Sequence, residues 1–70
     1  MLKRQSRHYL REWRKHRGLT QEQLAELIEK TASTVWRIEN RQAGLNQHML
    51  DRLAKALGCS GGAILDTPPD

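Results

Sequence analysis

Between Thr31 and Arg41 the chain reads TASTVWRIENR, and two neighbours in it combine unlike recognition chemistries. Arg37 carries a planar fork of N–H donors that matches guanine O6 and N7. Trp36, one of two tryptophans in the chain, has an apolar face that fits a thymine methyl or a sugar edge. Advancing about 100° per residue along a helix sends Val35 and Ile38 one way, with Thr31 between them. Ser33, Trp36, Arg37 and Asn40 cluster about the opposite direction. The tryptophan is therefore expected to look outward, in company with a guanidinium and a serine hydroxyl able to bond either base type. Two readings stand for Trp36: contact with a nucleic-acid groove, or a sideways fold over the neighbouring helix or loop. For Arg37 the alternatives to a base contact are a phosphate contact or a solvated charge.

The charge distribution suits such a partner. Residues 1–17 hold seven basic side chains (Lys3, Arg4, Arg7, Arg11, Arg14, Lys15, Arg17) against Glu12 alone, and the rest of the chain is net acidic. A net charge of +4 and a pI near 9.8 in 70 residues point to a polyanion, either nucleic acid or an anionic membrane surface. A membrane-surface helix needs a strongly apolar face opposite residues 3–17, but Leu10 and Trp13 are required for the core. No apolar run approaches the roughly 20 residues that span a bilayer. The N-terminal MLKRQSRHYL is basic and lacks the apolar segment of a signal peptide. Cys59 is the sole cysteine, so no intrachain disulfide can form, and a cytoplasmic location is expected. His8, His16 and His48 show no metal-ligand spacing with one another or with Cys59, and no metal or cofactor is expected.

Seventy residues make one domain near the lower limit for a self-sufficient core. Four or five helices can be marked from their ends. The first runs roughly from Arg7 to Arg17, buries Leu10 and Trp13, and stops at Gly18. In LTQEQLAELI, Thr20 caps a second helix with Gln23 completing a capping box, while Leu19 and Leu24 make a hydrophobic staple. Asn46 caps a later helix in which Leu50, Leu53, Ala54 and Leu57 form one buried stripe, ended by Gly58. Cys59 follows at a position where a small hydrophobe packs back on the last turn. SGGAILD can form a short last helix capped by Ser60, and TPPD an extended exposed tail. Between these lie two short helices, 21–28 and 32–39, separated by three residues. So short a connection is a helix-turn-helix arrangement, with Leu24, Ile28, Val35 and Ile38 packed together and Ala25 allowing close approach. The fold expected is all-α, a compact bundle of four to five helices with a helix-turn-helix formed by helices 2 and 3. It is organised as a basic arm (1–6), a domain (7–66) and a tail (67–70).

The ordered set LREWRKHRGLTQEQLAELI, STVWRIEN and LAKALG resembles the lambda-repressor/Cro family of helix-turn-helix DNA-binding domains, also called the XRE family. The similarity covers roughly residues 9–66. It implies a double-stranded DNA partner, with helix 3 in a major groove and two recognition helices presented by a homodimer about 34–36 Å apart. It matches Ala32 and Ser33 to positions that touch base edges, which join Trp36 and Arg37 as candidate base readers. It implies backbone contacts from Gln21 and Asn40, with Thr31 a further backbone candidate and Arg41 an added charge. The free N–H groups at the start of helix 2 would assist Gln21. It assigns Arg14 and Glu39 to a structural ion pair, and it implies a bacterial or phage origin.

Three positions depart from the family pattern. Glu29 stands where glycine is usual in the turn, costing on the order of 1 kcal/mol if the backbone there is left-handed; otherwise the turn takes a different shape. Lys30 stands at a usually apolar position, its stem packed and its ammonium in solvent or at a phosphate. Arg41 replaces the glycine that commonly follows EN, with Asn40 expected to absorb the reversal.

The leading functional expectation is a homodimeric transcriptional regulator, a repressor, that binds a short inverted repeat. Ile64, Leu65 and the C-terminal segment are its candidate pairing surface, or else they close the monomer core. The alternative is a DNA-binding antitoxin that neutralises a small toxin protein and represses their operon; little chain outside the domain is available to wrap such a partner. An enzyme is not expected, because a bundle this small has no obvious concave site for converging acid, base or nucleophile groups.

Overall fold

Thr20, Thr31, Asn46 and Ser60 each stand one residue before a helix, and each side chain accepts the backbone N–H of the residue three further on. These caps set the starts of four of the five helices in the computed structural model, which describes residues 8–69. The elements are α1 (Leu10–His16), α2 (Gln21–Leu27), α3 (Ala32–Glu39), α4 (Gln47–Leu57) and α5 (Gly61–Asp66). The capping box is complete: Gln23 N–H donates to Thr20 Oγ1 at 3.0 Å, and Thr20 N–H donates to Gln23 Oε1 at 2.8 Å. The expected N-terminal arm, residues 1–6, lies outside the described residues.

Each helix contributes its inward stripe to one core. Leu10, Leu24, Val35, Leu53 and Ile64, one from each helix, are all fully buried. At about 1.5–3 kcal/mol for each buried large aliphatic side chain, this layer is what joins the helices. Trp13 is half-buried against the core, and its indole N–H reaches the carbonyl oxygens of Thr67 (2.9 Å) and Ala63 (3.3 Å). The tail is thus exposed and extended at Thr67 yet anchored through its backbone.

α1 begins later than its sequence suggests. At Tyr9 the backbone turns (φ −110°, ψ 29°), and its N–H bonds the Ile64 carbonyl at 2.7 Å, so the start of the described chain is tied to α5 instead of extending the helix. Ile64 is fully buried and closes the monomer core, which removes it from the candidate pairing surface; its neighbour Leu65 remains 42% exposed.

The helices α1 to α4 end alike. In each, the left-handed residue donates its N–H three back, and the following residue donates five back, closing a Schellman motif. The left-handed residue is Gly18 after α1 and Gly58 after α4, but Glu29 (φ 60°) after α2 and Arg41 (φ 59°) after α3. Glycine at 58 serves a second purpose, since a Cβ there would stand 3.2 Å from the Arg17 guanidinium. That guanidinium donates to the Leu57 carbonyl (2.6 Å) and the Gly58 carbonyl (3.2 Å), holding α1 against the end of α4. Cys59 donates its N–H to the Ala54 carbonyl (3.0 Å) and packs against the core. Burial holds its thiol above the usual range, outweighing the Arg17 charge, so the protonated, less nucleophilic form is favoured at neutral pH.

Candidate nucleic-acid interface

α2 and α3 are joined by a turn that Glu29 makes possible. Its left-handed backbone lets Lys30 N–H bond the Ala25 carbonyl at 2.8 Å. Thr31 then starts α3 by capping it, its Oγ1 accepting from Thr34 N–H at 3.3 Å. The Glu29 carboxylate meets Arg52 of α4 at 3.0 Å, a largely exposed bridge that ties the turn to the bundle. Lys30 is exposed, so the loss of an apolar residue there leaves no buried charge.

The far end of α3 is held from inside. Arg14 Nε donates to Glu39 Oε2 at 2.6 Å and Nη2 to Oε1 at 3.3 Å, with the two side chains 10% and 2% exposed. Arg14 Nη1 also donates to the Leu19 carbonyl at 2.7 Å. Gln21 Nε2 reaches the same carboxylate at 3.0 Å. Arg14 and Glu39 together therefore lock α1, the α1–α2 turn, the start of α2 and the end of α3. A buried pair so fully hydrogen-bonded contributes more to orientation than to net stability, since desolvation offsets much of its attraction.

With its ends fixed, α3 presents a definite outer face. Val35 and Ile38 are buried, whereas Ser33, Trp36 and Arg37 are exposed, Trp36 at 45%. Ala32 is half-buried at the first turn beside Ser33. Trp36 stands outward and lines a hollow of about 220 Å³ together with Arg11, Arg14, Gln21, Glu39 and Asn40. Arg37 is exposed and has no ion-pair partner among the described residues. Asn40 does not absorb the chain reversal: it keeps φ −96°, and Arg41 takes the left-handed conformation one residue later. The reason lies in the Asn40 side chain, whose Nδ2 donates to the Trp36 carbonyl (2.9 Å) and keeps the residue in the last turn. Arg41 N–H then bonds the Ile38 carbonyl (3.0 Å) and Gln42 N–H the Arg37 carbonyl (2.7 Å).

Of the sequence-derived residues, Ser33, Trp36 and Arg37 share one exposed face, with Ala32 at its first turn. Gln21 sits beside them through the shared hollow, and Thr31 and Asn40 stand exposed at the two ends of α3. Arg41 is exposed just beyond, lining a second hollow with His8, Arg11, Glu12, Glu39 and Asn40. Arg11 was not among the expected site residues, yet it lines both hollows. The sequence signal available for it was its place one turn before Arg14 on α1. Among the described residues no group of three or more His, Cys, Asp or Glu is placed to hold a metal ion. No helix among them is long and apolar enough to cross a membrane.

No curated protein sequence matches the chain. A helix-turn-helix family model, HTH_3, matches residues 10–64, from the first residue of α1 into α5. Domains of that family bind DNA and are not catalysts. With the match spanning most of the chain, and α2 and α3 forming the motif it describes, this protein belongs to the HTH_3, or XRE, family of helix-turn-helix DNA-binding domains.

Proposed function

We propose that the protein is a sequence-specific transcriptional regulator, a repressor, that lays α3 in the major groove of an inverted repeat. The observation that carries this reading is the exposed strip Ser33–Trp36–Arg37 on a helix whose both ends are fixed to the bundle. Fixed ends matter because base-edge contacts demand that the reading side chains arrive pre-positioned. Arg37 reads a guanine, Trp36 packs on a thymine methyl or sugar, and Ala32 and Ser33 touch the first base edges. Gln21, Thr31, Asn40 and Arg41 contact the backbone and set the register.

So small a reading surface favours two copies working together on adjacent half-sites. Leu65, exposed on α5, is the apolar side chain offered for that pairing. Such a regulator acts where the chromosome lies, in the cytoplasm of a bacterial or phage-infected cell. Selection of bound duplexes from a random pool tests the reading: the expected result is a pseudo-palindrome with a guanine at one fixed position in each half-site. Recovery of sequences with no common half-site would reject it.

A further inference from the structure

At the C-terminal end of α3 three elements bring basic groups to one hollow of about 220 Å³. The segment before α1 supplies His8, α1 supplies Arg11, and the left-handed residue after α3 supplies Arg41. Two carboxylates also line it. Glu39 is already hydrogen-bonded by Arg14 and Gln21, which leaves its charge compensated. Glu12 is the remaining opposing charge, so the lining is net positive. The hollow adjoins the one that runs to Trp36 and Gln21, with Arg11, Glu39 and Asn40 common to both. A polar trough therefore runs from the start of α2, past the base of the reading strip, to His8.

We propose that the hollow formed by His8, Arg11 and Arg41 receives a DNA backbone phosphate beyond the bases read by α3, and that His8 takes up a proton as that phosphate enters. The proposal rests on the DNA-binding reading and deepens it, adding Arg11 and His8 as phosphate-binding residues. In the free protein the His8 ring accepts the Leu10 N–H at Nδ1 (3.5 Å) and lies near the Ile38 carbonyl. Its charged form is held back first by burial and then by Arg41, against the opposing pull of the Ile38 carbonyl, Glu12 and Glu39. An entering phosphate adds a negative charge beside the ring, which favours the imidazolium. The pKa is then higher in the complex than in the free protein, so binding tightens as pH falls through the interval between the two values.

The test measures affinity of the full chain for a mixed-sequence duplex of about 30 base pairs, and for its selected operator, across salt and between pH 8 and pH 6. Arg11→Ala should weaken both duplexes alike and lower the dependence of log K on log salt by roughly one unit. Lys55→Ala, at an exposed position in the last turn of α4, should leave that slope as in the wild type. Wild-type affinity should rise several-fold more on acidification than that of His8→Gln, with at most one proton taken up. Thermal melts establish that both variants fold, as expected for an exposed arginine and for a glutamine that keeps a donor. An unchanged salt slope in Arg11→Ala, or an equal pH dependence in His8→Gln, overturns the proposal while base discrimination by Arg37 would still stand. Failure of the wild-type protein to bind either duplex would bring down the DNA reading and this site with it.

Discussion

Arg14 and Arg37 are the same residue in opposite employment. Arg14 is 8% exposed, and its guanidinium donates to both oxygens of Glu39 and to a backbone carbonyl. Arg37 is exposed and unpaired among the described residues. The same division runs through the N-terminal basic cluster: Arg17 caps α4, whereas Arg11 lines the trough beside α3. A positive sum over residues 1–17 thus overstates the charge available to a polyanion. The arginines bonded within the bundle make the scaffold, and the unpaired outward ones are left to meet a partner.

Breaking the inward set should cost folding stability. Glu39→Ala leaves the Arg14 guanidinium buried without its counter-ion, and should lower unfolding free energy by about 3–5 kcal/mol, read from urea denaturation. Replacing Arg14 and Glu39 together by methionines should recover most of that loss, since the desolvation cost is removed along with the attraction. Recovery would separate a lost pair from a misfolded variant. Arg17→Ala should cost less, about 0.5–1 kcal/mol, because the exposed arginine leaves carbonyls at the end of α4 that water can reach, with no change in the salt dependence of DNA binding.

Substitution of an outward arginine should split the two properties. Arg41→Gly relieves a left-handed non-glycine residue and should stabilise the fold by about 0.5–1 kcal/mol, while weakening binding to all duplexes alike. A melting temperature that falls in this variant would show that the Arg41 side chain, not its backbone, governs the turn. The smallest effect concerns His8. Its folded pKa lies below the ordinary 6.5, so the unfolded chain binds the proton more readily. Its contribution to stability is complete above that value and is lost as pH falls through the lower folded value. His8→Gln should slightly flatten the acid side of the stability profile; an unchanged profile would mean another group titrates there.

Much of the scaffold could be read from sequence because its signals are local. Thr20 with Gln23, Asn46, and the glycines at 18 and 58 act within a few residues of themselves, and the helix ends follow from them. The left-handed turns at Glu29 and Arg41 were harder to read. Nothing local separates a strained glutamate or arginine from a reshaped turn, and Asn40 was the better local candidate until its side chain proved engaged with the Trp36 carbonyl. Ile64 and Leu65 are adjacent and equally apolar; only the packing of α5 against the bundle decides which is buried. The hollow shared by His8, Arg11 and Arg41 joins residues about 30 positions apart in sequence, on elements that Arg14 and Glu39 tie together.

The outward face of α3 is tested most directly by Arg37→Ala, measured as the ratio of affinities for selected operator and mixed-sequence duplex at one fixed salt concentration. The account predicts a loss of about 1–3 kcal/mol on the operator with relaxed preference at one base pair per half-site, and little change on mixed sequence. An equal loss on both duplexes would contradict it, reducing Arg37 to a phosphate contact and the strip to one that does not read bases.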